Sequence, residues 1–222
     1  MMRPLFFTGT GTDVGKTHIL FAMLKAWRAQ GHTIRVLKPV ISGFDKADLN
    51  ATDTIRLMRA NGEALTGDGV QAVSPWRFAS PLSPDMAARR EGRELMIEPV
   101  TDWCLDRMDR EHPTVIEGAG GVMSPIAENG LNLDLIRELD ARPVLVAGAY
   151  LGTISHTLSA LRVLDGRCTV IVNDYKADPV PADDIADSLQ RFAPRADVRV
   201  FRDGGADRLL DLFDQARQGS LG

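Results

Sequence analysis

The segment Thr8-Gly9-Thr10-Gly11-Thr12-Asp13-Val14-Gly15-Lys16-Thr17 limits what this chain can become more than any other feature. Leu5-Phe6-Phe7 precedes it, and Ile19, Leu20, Met23, Leu24 and Trp27 follow at helical spacing, with Gly31 as a stop. A buried strand, a glycine-rich turn and an amphipathic helix are therefore expected in direct succession. Glycines let the backbone turn its N–H groups around phosphate oxygens, and the helix N-terminus adds positive potential. Lys16 is expected to reach the outer phosphates of a nucleotide, and the Thr17 hydroxyl to ligate magnesium. The generic phosphate loop has four residues between its first glycine and Gly-Lys-Thr. Here the spacing is five from Gly9 or three from Gly11. Asp13 is unusual, because a carboxylate inside an anion-binding loop repels phosphate. It either complements the helix dipole or holds a cation, such as a magnesium water shell or an amine substrate.

Short apolar runs alternate with helical patterns beyond that segment. Strands are predicted at 33–37, Thr114–Glu117, 144–147, 169–172 and 198–201. Helices are predicted from about Thr52, and at 133–139, 154–164, Ala182–Phe192 and 206–217. Pro99 suits the first turn of a further helix that uses Val100, Trp103, Cys104 and Met108. Pro75, Pro81 and Pro84 keep 74–84 from being one helix or a central strand. The alternation implies an α/β fold: a mostly parallel central sheet, helices on both faces, right-handed crossovers. No Ser/Gly-rich tract, charge block or repeat marks a linker, so 1–222 is expected to be a single P-loop NTPase domain. Such sheets bind ligands outside the carboxyl ends of their strands.

The formal charge of −4 gives no basic footprint for nucleic acid. Cys104 and Cys168 lack metal spacing and are too few for a disulfide framework, so both are expected as buried thiols in a reducing compartment. The start, Met1-Met2-Arg3-Pro4-Leu5-Phe6-Phe7, has too short an apolar run for a signal peptide. No apolar stretch approaches the ~20 residues of a membrane span. A cytoplasmic protein without membrane partners is expected.

Several residues just after predicted strands suit an anionic reaction centre. Lys38-Pro39-Val40-Ile41-Ser42-Gly43 follows the second strand, and Pro39 keeps Lys38 extended. A second ammonium there would oppose charge developing on a phosphoryl or carbamoyl group. Asp53 stands at a helix start, where Asp45 and Asp48 compete with it as metal ligands. Glu117 closes a short apolar strand, the usual place of a second magnesium anchor, and Gly118-Ala119-Gly120-Gly121 permits close backbone approach to a ligand. Thr17, Asp53 and Glu117 together offer the all-oxygen set that magnesium prefers. His156 is expected as a packed, satisfied histidine rather than a base. Asn173-Asp174-Tyr175-Lys176 ends a strand that often reads the base, without the Asn-Lys-x-Asp pattern of guanine readers, which favours adenine.

Taken with Leu151-Gly152-Thr153-Ile154-Ser155-His156 and Asn173-Asp174, these segments resemble the dethiobiotin synthetase family across roughly residues 3 to 174. The family's phosphate loop has the longer glycine spacing seen here from Gly9. The resemblance implies an ATP- and Mg2+-dependent cyclo-ligase of biotin biosynthesis. It would carboxylate 7,8-diaminononanoate (7,8-diaminopelargonate) with CO2 and close the ring to dethiobiotin, through a carbamate and a carbamic-phosphoric anhydride, giving ADP and phosphate. Lys38 and Lys16 are then the catalytic residues. ATP would be held by Asp13, Val14, Gly15, Lys16 and Thr17, by Asp53, by Glu117, Gly118, Ala119 and Gly120, and by Asn173 at adenine. Thr12, Lys38 and Ser42 would bind the diamine, and Thr17, Asp53 and Glu117 the metal. The family is dimeric, so the substrate tail would reach Leu151, Gly152 and Ser155 of a partner subunit. This chain departs from family habit at Asp85 and Ser155, and in lacking a proline after the last strand, around 200–204.

Two other classes share parts of this pattern. A P-loop amide ligase of the cobyrinic acid amidase group normally adds a glutamine-hydrolysing domain, for which this chain has no room. A partition-type nucleotide-switch ATPase commonly has a second lysine early in the loop, where Thr10 and Gly11 stand.

Overall fold

β1 (Leu5–Gly9) is buried along its whole length. Its side chains alternate, Leu5 and Phe7 entering one apolar core and Phe6 another. A strand that is apolar on both faces must be covered on both, which places it inside a parallel sheet. The computed structural model describes residues 2–45, 47–108, 111–166, 168–174 and 180–217. After β1 come α1 (Lys16–Ala29), β2 (Arg35–Leu37), β3 (Val40–Ile41), α2 (Asp53–Asn61), α3 (Gly67–Val73), β4 (Trp76–Arg77), α4 (Pro84–Arg90) and α5 (Ile97–Arg107). The second half adds β5 (Thr114–Glu117), β6 (Pro125–Ala127), β7 (Gly130–Leu131), α6 (Asn132–Glu138), β8 (Arg142–Gly148) and α7 (Thr153–Val163). It ends with β9 (Thr169–Asn173), α8 (Ala182–Phe192), β10 (Asp197–Phe201) and α9 (Asp211–Arg217).

Six strands form one parallel sheet in the order β10-β9-β8-β1-β5-β2. From β1 the chain first builds outward through β2 and β5, and then through β8, β9 and β10 on the other side. That reversal beside β1 opens a crevice at the carboxyl edge. On one face Leu20, Leu24 and Trp27 of α1, Leu57 of α2 and Phe213 of α9 pack with Phe7, Val115 and Val146. On the other, Val100, Ile136, Leu161 and Ile185 from α5 to α8 pack with Phe6, Ile116 and Leu145. This is the α/β fold, helices on both faces, that the alternation of patterns predicts.

The differences are local. The strand expected at 33–37 begins at Arg35, and the helix expected at 206–217 is a 3-10 turn (Ala206–Leu209) followed by α9. α3 is not anticipated because two glycines lower its helix propensity. Thr66 caps it, accepting from Gly69 N at 3.1 Å. The pairs β3–β4 and β6–β7 are too short to show a period. Pro84 opens α4, and Pro99 sits in the first turn of α5. Among the described residues no helix is long and apolar enough to cross a membrane. Cys104 is buried as expected, whereas Cys168, at the amino edge before β9, is only partly covered. Burial pushes both thiols up to about 12.

Candidate functional site

Between β1 and α1 the chain folds into a tight loop. Thr10 N donates to Val146 O (2.9 Å) and Val122 N to Gly9 O (3.0 Å), which fastens the loop to β8 and to the segment after β5. A Cβ on Gly9 would stand 2.7 Å from Gly11 O and 2.9 Å from Val14 Cγ2, whereas one on Gly11 would meet nothing within 4 Å. Gly9 is thus the sterically required glycine, so the longer of the two spacings is the physical one. Asp13 (φ 57°) and Gly15 (φ 95°) adopt left-handed backbone, which curls the loop into a concavity ahead of α1. Aspartate tolerates that region better than most residues.

Lys16, Thr17, Lys38 and Glu117 converge there, each less than a tenth exposed. Lys38 Nζ lies 2.5 Å from Glu117 Oε1 and 3.1 Å from Asp53 Oδ2. Thr17 Oγ1 donates to Glu117 Oε1 at 2.7 Å, and Lys16 Nζ to Gly11 O at 3.4 Å. Burial pulls the Lys38 pKa down, but the carboxylates of Glu117 and Asp53 outweigh it and hold the ammonium above its ordinary range. For Lys16 burial dominates and pulls the pKa down, with Glu117 opposing it and Lys38 reinforcing it. Burial pushes the Asp53 carboxyl up, yet the adjacent Lys38 wins and holds it below the usual value. Asp53 begins α2, capped by Thr52, while Asp45 accepts from Ala47 N and Asp48 lies exposed before a 3-10 turn. Of the three acids it is Asp53 that pairs with Lys38, at the edge of the phosphate loop.

The glycine segment after Glu117 is held by Asn132, a residue that carries no motif. Its buried Nδ2 donates to Ala119 O (2.7 Å) and Gly121 O (2.8 Å). Ser124 Oγ accepts from Gly121 N at 2.8 Å. A Cβ on Gly118 would come within 2.5 Å of Asn132 Oδ1, so the loop and α6 are in direct contact.

These groups line a cleft of about 860 Å³. It contains Thr12, Asp13, Gly15, Lys16, Thr17, Lys38, Ser42, Asp53, Glu117, Gly118, Ala119 and Gly120, most of the sites expected from sequence. It also contains His18, Arg56, Pro81, Leu82, Ser83, Pro84 and Ser124, which no motif announces. The proline-rich segment becomes a wall because Phe44 N donates to Phe78 O and Gly43 N to Ser80 O. Asp85, two residues beyond Ser83, accepts from its hydroxyl at 2.6 Å.

Other expected residues lie outside the cleft. Asn173, fully buried, ends β9 and donates from Nδ2 to Val14 O at 3.0 Å, standing behind the loop. Tyr175 and Lys176 lie outside the described residues. Leu151, Gly152 and Ser155 are exposed around the N-terminus of α7. His156 corrects the expectation of a packed residue: it is exposed, with its ring bonded at Nδ1 to Tyr150 OH (2.9 Å).

A family model described as an AAA domain matches residues 3–201. The ATP-dependent dethiobiotin synthetase of Acidiphilium cryptum is 39% identical, covering 98% of this chain and 100% of its own. That of Methylobacterium nodulans is 38% identical over 92% of this chain and 95% of its own. The chain belongs to the ATP-dependent dethiobiotin synthetase family. The Caulobacter vibrioides member is 43% identical, with 85% of each chain covered. Among solved structures, a hydrogenase maturation factor HypB from Archaeoglobus fulgidus superposes with a TM-score of 0.54 at 12% identity, covering 96% of this chain and 89% of that one. The MinC:MinD cell division complex of Aquifex aeolicus gives 0.51 at 14%, covering 99% and 98%. These two likenesses concern the fold alone.

The donors suit the metal that an ATP-dependent member of this family would use. Among the described residues no three His, Cys, Asp or Glu side chains gather as a metal cage. Thr17, Asp53 and Glu117 instead offer oxygen only, and the buried Glu117 Oε2 has no hydrogen-bond partner. Few protein ligands, with phosphate oxygens and water completing the shell, is the arrangement magnesium favours.

Proposed function

We propose that this chain is an ATP-dependent ligase of biotin biosynthesis that closes the ring of dethiobiotin on 7,8-diaminononanoate with CO2. The observation that carries the reading is the Lys38 ammonium, fixed by Glu117 and Asp53 in the same cleft as Lys16 and the phosphate loop. A reaction built on anionic intermediates needs preorganised positive charge and no side-chain nucleophile.

One amine of the diamine attacks CO2 and loses a proton, giving a carbamate. A carbamate oxygen attacks the terminal phosphorus of ATP, and ADP leaves. The second amine attacks the carbonyl carbon of the resulting anhydride, the C–O bond to phosphate breaks, phosphate leaves, and the attacking nitrogen gives up a proton. Lys38 opposes the carbamate and anhydride charge, and Lys16 with the loop N–H groups binds the triphosphate. Thr12 and Ser42 bind the diamine, with Asp13 near its ammonium. Thr17, Asp53 and Glu117 would hold Mg2+, which would neutralise phosphate charge when bound. Val14, Gly118, Ala119 and Gly120 line the nucleotide through their backbone, and Asn173 meets adenine.

The reading includes a homodimer in which Leu151, Gly152 and Ser155 meet the substrate tail bound by the partner. Supporting it, Leu151 is 87% exposed and stands away from this chain's own cleft. It also takes the enzyme to be cytoplasmic, with small-molecule substrates and no nucleic-acid or membrane partner, consistent with a charge of −4. Phosphate release from ATP and magnesium, with and without the diamine and bicarbonate, tests the function. Release requiring both supports it, and release indifferent to the diamine overturns it.

A further inference from the structure

Arg56 lies in the first turn of α2, three residues after Asp53, so the two side chains share a face of the helix. Both line the cleft. The half-buried guanidinium of Arg56 stands 5.9 Å from the ring centroid of Phe21, which lies on α1 one helical turn beyond Thr17. A planar cation held on an aromatic face keeps its N–H edge for another partner. Burial pushes the Asp53 carboxyl up and Lys38 pulls it down, and Arg56 reinforces Lys38 through space. Among the described residues no carboxylate or carbonyl oxygen is hydrogen-bonded to the Arg56 guanidinium.

The charge of the cleft gives that cation a use. Lys16 and Lys38 face three acids there, Asp13, Asp53 and Glu117. Lys38 is already divided between two of them. A polyphosphate entering such a cleft would meet more side-chain carboxylate than ammonium, and Arg56 brings the six groups into balance. It also approaches from α2, whereas Lys16 and the phosphate loop approach from β1 and α1. A phosphate chain lying on the loop beside Asp53 is therefore reached from two sides.

We propose that Arg56 is a phosphate-binding residue whose guanidinium takes oxygens of the outer phosphates of the nucleotide from the α2 side. Phe21 is then a positioning residue that acts through Arg56. The inference rests on the ATP reading given above and adds a second arm to the hold begun by the loop and Lys16.

The experiment compares Arg56→Ala, Arg56→Met and Arg56→Lys with the unaltered protein. Each is measured for affinity toward ATP and toward inorganic tripolyphosphate, for kcat and the KM of ATP and of the diamine, and for thermal unfolding without ligand. Methionine keeps an unbranched stem against Phe21 and removes only the charge. Alanine and methionine are both expected to weaken ATP and tripolyphosphate roughly tenfold, the loss of one charge-assisted contact. The KM of ATP rises with them, while kcat at saturating ATP and the KM of the diamine hold. Lysine, a point charge without the fork, recovers part of the loss. Unchanged affinity for both ligands overturns the proposal. A loss for ATP without one for tripolyphosphate also overturns it, placing Arg56 at the nucleoside. So does a raised KM for the diamine with ATP affinity intact, which places it at the substrate carboxylate. A loss that alanine shows with a lower melting temperature, and methionine does not share, makes Arg56 structural and overturns it too. Failure of the unaltered protein to bind ATP and tripolyphosphate overturns the ATP reading beneath it.

Discussion

Lys38 Nζ stands 2.5 Å from Glu117 Oε1, and both side chains are almost wholly withdrawn from solvent. Such a pair is costly to assemble and more costly to break, because removing one partner leaves a buried charge uncompensated, by ~3–5 kcal/mol. Lys38→Ala is expected to lower turnover by ~10²-fold or more, with nucleotide binding retained. It is also expected to lower the melting temperature. Adding Glu117→Gln to Lys38→Met should recover stability without recovering activity, a separation that unfolding and turnover assays read directly. Unchanged turnover in Lys38→Ala would remove the residue from the chemistry.

The two buried lysines differ in how they hold their protons. Burial lowers Lys16, while Glu117 and Asp53 keep Lys38 above its usual value. A polyanion binds the protonated form, so nucleotide affinity is full below the Lys16 pKa and falls as pH rises through it, short of 10.5. Lys38 stays charged over that range. Titrating affinity upward from neutral pH reads the fall, and in Lys16→Arg it should vanish because guanidinium keeps its proton. A flat profile in the unaltered protein would contradict the assignment of the falling limb to Lys16.

Glycines 9 and 11 should part company. A Cβ on Gly9 collides with the backbone oxygen of Gly11, while one on Gly11 has open space. Gly9→Ala is expected to destabilise by about 1–3 kcal/mol and to disrupt the loop. Gly11→Ala should leave stability within about 1 kcal/mol of the original. Thermal unfolding of the two variants decides, and equal losses would mean that the loop is shaped otherwise.

Glu117 Oε2 is buried without a hydrogen-bond partner, and Asp53 stands next to the same lysine. Asp53→Asn and Glu117→Gln should each raise the magnesium concentration needed for half-maximal turnover, by roughly tenfold for loss of one carboxylate ligand. EDTA should abolish turnover in the unaltered enzyme. Variants with an unchanged magnesium requirement would send the metal elsewhere.

Much of the site is legible from local chemistry because its residues sit where strands end. Lys38 and Glu117 follow apolar strands, and Gly-Lys-Thr opens a helix, so a strand–loop–helix reading places them together. The pairing of Asp53 with Lys38 is not local, since it depends on the reach of Lys38 across the sheet edge. Asn132 and Arg56 are missed for a similar reason: an asparagine at the start of one helix and an arginine inside another carry no spacing signal. His18 adjoins the loop motif, yet its partner Asp203 lies 185 residues away, a pairing that only the folded chain reveals. The break before α9 depends on packing rather than period.

The most direct test of the chemistry is to supply 18O-labelled CO2 with ATP, magnesium and the diamine, and to follow the oxygen by mass. If a carbamate oxygen attacks phosphorus, each turnover carries one labelled oxygen into phosphate and leaves the other in the ring carbonyl of dethiobiotin. Label that stays out of the phosphate while the ring closes would contradict the anhydride route, and with it the part assigned to Lys38.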